Sequence, residues 1–330
     1  MLRALLIAVI IAALIFEFIN GFHDTANAIA TTVYTKALPV NVAIAMSAVM
    51  NFIGALASEK VAMTIATGLV DVELKLYVIL SALIGAILWD LFTWWKSIPS
   101  SSSHALIGAL VGAAMVYTHS TQHIVWSSVV NKVVIPIFLS PAIGLVFGYC
   151  VMKLIFFLLA DWTYSKANGV AHKAQIFTSA IMAYSHGNND AQKTMGIVTL
   201  ALVTGGVLSA DTGIPLWVKI MCALTMALGT SIGGQRIMKT VGSGVTKLDP
   251  VLGFCSQISG AVAIEIMTFL GAPVSTTQVL TTAIMGAGSA KRVTAVKWGI
   301  AKTMLKAWII TLPITIVLGG AVCGLIGIFM

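Results

Sequence analysis

Two stretches of this sequence set hydroxyl side chains between a proline and an apolar run: Pro99-Ser100-Ser101-Ser102-Ser103-His104 and Pro273-Val274-Ser275-Thr276-Thr277-Gln278. Proline suits the first turn of a helix, and serine and threonine cap helix starts, so each stretch predicts a helix N-terminus inside or beside apolar surroundings. Such an end offers unpaired N–H donors, a partial positive charge and hydroxyl donors, a combination suited to an oxyanion. Two such ends facing each other would surround a tetrahedral anion with Ser101, Ser102, Ser103, Ser275, Thr276 and Thr277, and His104, with Gln278 as its counterpart, could add a donor. Neither stretch holds an arginine that would grip the anion permanently. The pattern favours binding followed by release.

A second pair of stretches supplies the opposite charge. Asn20-Gly21-Phe22-His23-Asp24 and His186-Gly187-Asn188-Asn189-Asp190 each end a largely apolar run in an acid. An ionised carboxylate there is costly unless partnered, which marks Asp24 and Asp190 as functional candidates; capping a helix or pairing with a loop lysine is the plainer alternative. Oxygens of Asn27 and Asn189, with Asn20, Asn188 and carbonyls freed by helix breaks at Gly21 and Gly187, would complete a hard-cation or proton site. His23, beside Asp24, could relay a proton. Lys193, three residues beyond Asp190, either lies on the same helix face as a fixed substitute for a bound cation or snorkels to the membrane surface. Asn51 and Gln257 are uncharged polar residues inside apolar runs, suited to helix-to-helix hydrogen bonds or to ion contact. Glu17, Asp90 and Glu265 are further acids to place. Anion donors beside cation ligands imply symport.

These groups must be held by a membrane-embedded frame. Of 330 residues, 58% are hydrophobic and 9% charged, with a mean hydropathy of +0.99, whereas a soluble domain carries roughly a quarter charged residues. A water-soluble globule is excluded. Nearly charge-free runs recur at 4–16, 37–58, 76–89, 105–117, 133–152, 176–184, 195–210, 220–234, 251–264, 266–285 and 307–330. They predict an all-α polytopic membrane protein of about 10 to 12 segments, several of them interrupted, hence broken helices and re-entrant hairpins. The excess of 19 Lys and Arg over 11 Asp and Glu fits basic loops on the cytoplasmic side and calls for no nucleic-acid partner. Cys150, Cys222, Cys255 and Cys323 have neither disulfide nor zinc spacing, so no metal site is predicted from them. The basic, apolar start at 1–16 leads straight into Glu17 and is expected to be a retained first helix.

The two pairs of stretches recur in the same order in each half of the chain. Paired interrupted segments in matching positions are a pointer to the midplane site of a secondary transporter. We therefore expect a first membrane repeat at 1–160, a cytoplasmic linker at 161–174 and a second repeat at 175–330. An enzyme is disfavoured, with no catalytic residues assigned, because the serine stretch is duplicated and no Gly-x-Ser-x-Gly or His-Glu-x-x-His motif appears. Charged residues beside each predicted break argue against an open channel.

Gly21-Phe22-His23-Asp24-Thr25-Ala26-Asn27-Ala28, His186-Gly187-Asn188-Asn189-Asp190-Ala191-Gln192-Lys193 and the two proline-hydroxyl stretches resemble the signatures of the inorganic phosphate transporter (PiT) family. The resemblance covers both halves. It implies an inverted-repeat fold, phosphate uptake across the cytoplasmic membrane driven by a cation gradient, and a homodimer. His23 before Asp24, and Lys193 where the repeat would place a partner of Asn27, depart from the most symmetric pattern and resemble the bacterial low-affinity branch. That implies proton coupling, with phosphate carried as a neutral metal complex and no resident cofactor. Sodium coupling, or another oxyanion such as sulfate, is the alternative, since hydroxyls and helix ends suit both anions.

Overall fold

The structure, a computed structural model, describes residues 2–67, 69–209, 211–232, 238, 242 and 244–329, without the side chains of 25–27 and 67. Of the expected ligands, the Asn27 side chain lies outside the described residues. The α-helices with bounds among the described residues are α1 (Leu2–Tyr34), α2 (Val40–Ala55), α3 (Lys60–Thr67), α4 (Leu76–Trp95), α5 (Ser102–Thr118), α6 (Trp126–Val129), α7 (Ile135–Leu158), α8 (Tyr164–Thr204), α9 (Leu216–Ile232), α10 (Pro250–Phe269), α11 (Thr276–Lys291) and α12 (Trp298–Gly327). A π-helical turn, Val130–Val134, fuses α6 and α7 into one apolar span.

Among the described residues, α1, α4, the fused span, α10 and α12 are long and apolar enough to cross a bilayer, and α2 with α3 makes a sixth candidate bent by 67°. This is fewer than the 10 to 12 segments expected from apolar runs. The difference lies in α5, α9 and α11, which are short, and in α8, which is long but polar through its middle. Of these, α5, α11 and the middle of α8 are buried, whereas α9 keeps an exposed apolar face. Every residue is buried from Ser185 to Thr199 on α8, from Ser102 to Ala114 on α5 and from Thr276 to Gly288 on α11. A helix covered on all sides by protein needs no lipid-facing apolar stripe, so hydropathy alone under-reads it.

The helix breaks fall elsewhere than expected. α1 runs unbroken through Gly21 and α8 through Gly187, so those carbonyls stay in their helical bonds and are not released as ligands. The glycines serve packing instead: a Cβ on Gly187 would collide with the Asn51 backbone, and one on Gly21 would meet Met226 O at 2.6 Å. Among the described residues, interruptions fall instead at 56–59, 96–101 and 270–275. The last two follow Trp95 and Phe269 and lead directly into α5 and α11.

The 161–174 segment is mostly helix. Only 161–163 lie outside α8, whose start is capped by the Thr163 side chain accepting from Lys166 N at 3.4 Å. Once capped, the chain continues in one 41-residue helix that passes the boundary drawn at 174.

α5 packs on α12, and α11 packs on α7. Gly112 and Gly286, at matching places in α5 and α11, sit directly against the backbones of Ile316 and Leu145. A methyl group at either position would push the short central helix off its support.

Candidate functional site

The 96–101 and 270–275 interruptions build two helix starts of the same design. Ser101 Oγ caps α5 by accepting from His104 N, and Ser275 Oγ caps α11 by accepting from Gln278 N, each at 3.3 Å. The break before α5 is pinned where Trp308 Nε1 donates to Pro99 O at 3.0 Å. Because the cap positions are taken by Ser101 and Ser275, the next residues of each first turn carry their hydroxyls toward the carboxylates.

Ser102 Oγ donates to Asp24 Oδ2 at 3.0 Å and to Asn20 Oδ1 at 2.8 Å. Thr277 Oγ1 donates to Asp24 Oδ1 at 3.2 Å, and Thr276 Oγ1 donates to Asp190 Oδ2 at 3.2 Å. Lys193 Nζ donates to Asp190 Oδ1 and Ser103 Oγ, and at 3.0 Å to Val274 O. Ser103 Oγ in turn donates to Val274 O at 3.0 Å. The first-turn residues of α5 and α11 thus share one pair of acids, from α1 and α8, and one lysine.

The site is dry. Asp24 is 2% exposed, Asp190 0% and Lys193 1%, which settles Lys193 in the interior and not at the membrane surface. In such surroundings charge-assisted bonds to a carboxylate contribute about 1.5–3 kcal/mol each, and losing one partner leaves the other uncompensated.

The expected histidines divide in role. His23 Nδ1 pairs with Asp24 Oδ1 at 2.8 Å, and its Nε2 lies 3.4 Å from Thr93 Oγ1, which accepts from Ser100 at 2.8 Å. His104 stands off the carboxylates and meets Gln278, whose Nε2 lies 3.5 Å from His104 Nδ1, so the two repeat counterparts face each other. Asn51 acts through a third histidine: its Oδ1 is 3.0 Å from His186 Nδ1, while its Nδ2 donates to Thr230 Oγ1 at 3.1 Å. His186 Nε2 then reaches 3.1 Å from Asp190 Oδ2, close in distance though without hydrogen-bond alignment.

Two expected candidates lie apart from the cluster. Asn189, one residue from Asp190 and therefore turned about 100° around the helix, donates to Thr268 Oγ1 at 2.8 Å. Gln257 ties α10 to α1 and α8, donating to Thr32 Oγ1 at 2.6 Å and accepting from Thr178 at 2.8 Å.

His186 is the residue that sequence reasoning passed over. Its signal was its place four residues before Asp190, which puts both on one face of α8. Asp24, His186 and Asp190 present ligand atoms all within 4.8 Å of one another, a spacing that would admit a hard cation and that no sequence motif displays, because the three are split between α1 and α8. Glu17 and Asp90 are also fully buried. Glu17 accepts from Thr194 through Oε2, whereas neither Asp90 oxygen has a hydrogen-bond partner among the described residues.

A polytopic helical membrane protein in which two capped, buried helix starts converge on paired acids is built to move a charged solute. The model of the phosphate transporter family matches this chain twice, over residues 20–169 and 159–319. The chain is 47% identical to the probable low-affinity inorganic phosphate transporter of Bacillus subtilis (strain 168), over 96% of each chain. It is 43% identical to the protein of that name in Rhizobium meliloti (strain 1021), over 94% of this chain and 92% of that one. A solved structure titled the sodium-dependent phosphate transporter superposes with a TM-score of 0.91 at 25% identity, over 99% of this chain and 100% of that one. The chain belongs to the phosphate transporter family, a family of membrane transporters and not of enzymes, and is a multi-pass protein of the cell membrane.

Proposed function

We propose that this chain is a secondary active symporter that imports inorganic phosphate, with a proton as the coupling cation. The observation that carries this reading is the sharing of donors: the hydroxyls of Ser102, Thr276 and Thr277, on the first turns that would bind an anion, are engaged by Asp24 and Asp190.

The coupling follows from competition for those hydroxyls. An ionised carboxylate holds its donors by charge-assisted bonds. A proton on the carboxylate, or a cation beside it, weakens that demand and lets the hydroxyls turn to an oxygen of phosphate. Without the cation, an entering phosphate meets two buried negative charges and no available donors. Each ligand therefore favours the other, as linkage requires. His23 and His186, each beside one of the acids, are placed to pass a proton, and Lys193 holds a fixed positive charge against Asp190.

In this reading Ser101 and Ser275 shape the helix starts, Ser102, Ser103, Thr276 and Thr277 face the anion, and Asp24, Asp190 and His23 carry the coupling charge. A second reading has its own support. The structural neighbour is titled sodium-dependent, and the spacing of Asp24, His186 and Asp190 also suits a metal cation travelling with phosphate as cargo. The experiment is phosphate uptake by proteoliposomes under proton, sodium and divalent-metal gradients imposed one at a time. Proton symport predicts saturable uptake that a protonophore abolishes without sodium; uptake that needs sodium and ignores the protonophore refutes proton coupling.

A further inference from the structure

A second cationic feature lies outside the carboxylate cluster. A cavity of about 680 Å³ opens where the bend between α2 and α3 meets the 270–275 interruption, and three lysines line it: Lys60, Lys132 and Lys219. Lys219 is paired with Glu59. Lys60 Nζ donates to Phe269 O at 3.2 Å and Lys132 Nζ to Thr64 Oγ1 at 3.3 Å, and among the described residues neither has an acidic partner within ion-pair distance. The mouth thus carries an excess of positive charge in a concave, partly apolar wall, where low-dielectric sides concentrate the field.

The cavity is joined to the inner site by hydrogen bonds. Thr64 Oγ1, the partner of Lys132, also donates to Gly271 O at 2.8 Å. Gly271 holds the left-handed turn, with φ of +69°, that starts the interrupted segment. Three residues later Val274 O accepts from Lys193 and Ser103, and Thr276 and Thr277 follow.

We propose that this cavity is an outer oxyanion site, in which Lys60 and Lys132 capture free inorganic phosphate before it passes along 271–274 to the hydroxyls of the inner site. The assignment rests on the phosphate-transport reading and adds a waiting position to it. The same chemistry would suit the headgroup of an anionic lipid, and the exposed Phe269 and Leu270 at the rim make that the competing source.

The test is phosphate uptake by the full chain carrying Lys60→Gln and Lys132→Gln together, in vesicles of phosphatidylcholine alone and in vesicles containing phosphatidylglycerol. Both lysines have neutral partners, so the change strands no acid. The KM for phosphate should rise about threefold at physiological ionic strength and more at low salt, with the maximal rate kept, in both lipids. The charge-preserving pair Lys60→Arg and Lys132→Arg should restore the wild-type KM and its salt dependence, which separates lost charge from lost folding. An unchanged KM in phosphatidylcholine overturns the outer phosphate site, as does an effect confined to phosphatidylglycerol, which assigns the cavity to lipid. Wild-type vesicles that take up no phosphate would refute the transport reading itself, a separate result.

Discussion

Thr277 Oγ1 donates to Asp24 Oδ1 at 3.2 Å across 253 positions of the chain. The bond joins the first turn of α11 to the middle of α1, and Ser102 on α5 reaches the other oxygen of the same carboxylate. Asp24 is therefore where the two helix starts meet.

Thr277→Val keeps the shape of the side chain and removes the donor. A buried charge-assisted bond contributes about 1.5–3 kcal/mol, so phosphate uptake at sub-saturating concentration should fall roughly 10- to 100-fold. Thr277→Ser should stay close to wild type. Initial rates of labelled phosphate uptake decide it, and a valine variant as active as the serine one would remove Thr277 from the site.

Lys193 and Asp190 should depend on each other. Lys193→Gln leaves a buried carboxylate without its cation and should cost about 3–5 kcal/mol of stability, and Asp190→Asn should do comparable harm by stranding the lysine. The double variant removes both charges and should recover much of the loss. Thermal unfolding of the four proteins in one detergent measures this cycle; additive losses would show that the pair is not coupled. Lys193→Asn should also raise the number of cations carried per phosphate, because a fixed positive charge is gone, and an unchanged ratio with normal uptake would discard that role.

Much of this site was legible in the sequence. The duplicated proline-hydroxyl stretches announced capped helix starts, and the duplicated acids announced their partners, because both signals are local: a cap is written within four residues. Helix continuity at Gly21 and Gly187 was not legible. Glycine reads alike whether it breaks a helix or admits a neighbouring backbone, and only the position of Asn51 and Met226 against those glycines tells the two apart. Length and composition pick out only five or six spans among the described residues for a related reason, since α5, α8 and α11 are shielded by protein and need no lipid-facing run. The approach of His186 to Asp190 depends on Asn51 turning the ring from another helix, a contact no spacing rule contains.

Two glycine substitutions on α8 separate packing from helix propensity. Gly187→Ala places a methyl group into the Asn51 backbone and should destabilise by about 1–3 kcal/mol. Gly169→Ala meets nothing within 4 Å, lies at an exposed helical position and should stabilise by about 0.5–1 kcal/mol. Melting temperatures in detergent should move in opposite directions; a shared direction would contradict the close packing of α8 on α2.

Asp90 is fully buried with no donor to either oxygen among the described residues, and it interacts electrostatically with His23 and Asp24. Removing its charge should relieve the fold, so Asp90→Asn should raise the melting temperature or leave it unchanged, unlike Asp190→Asn. A drop of several degrees would mean that the carboxylate has a stabilising partner.

If phosphate and the coupling cation contend for the same hydroxyls, their movements are linked, and the most direct measurement follows phosphate entry and internal pH together in one set of proteoliposomes. Wild-type vesicles should acidify in fixed proportion to the phosphate they take up, and Asp24→Asn should abolish both movements together. Asp24→Asn vesicles that take up phosphate and acidify at the wild-type rate and ratio would contradict that competition.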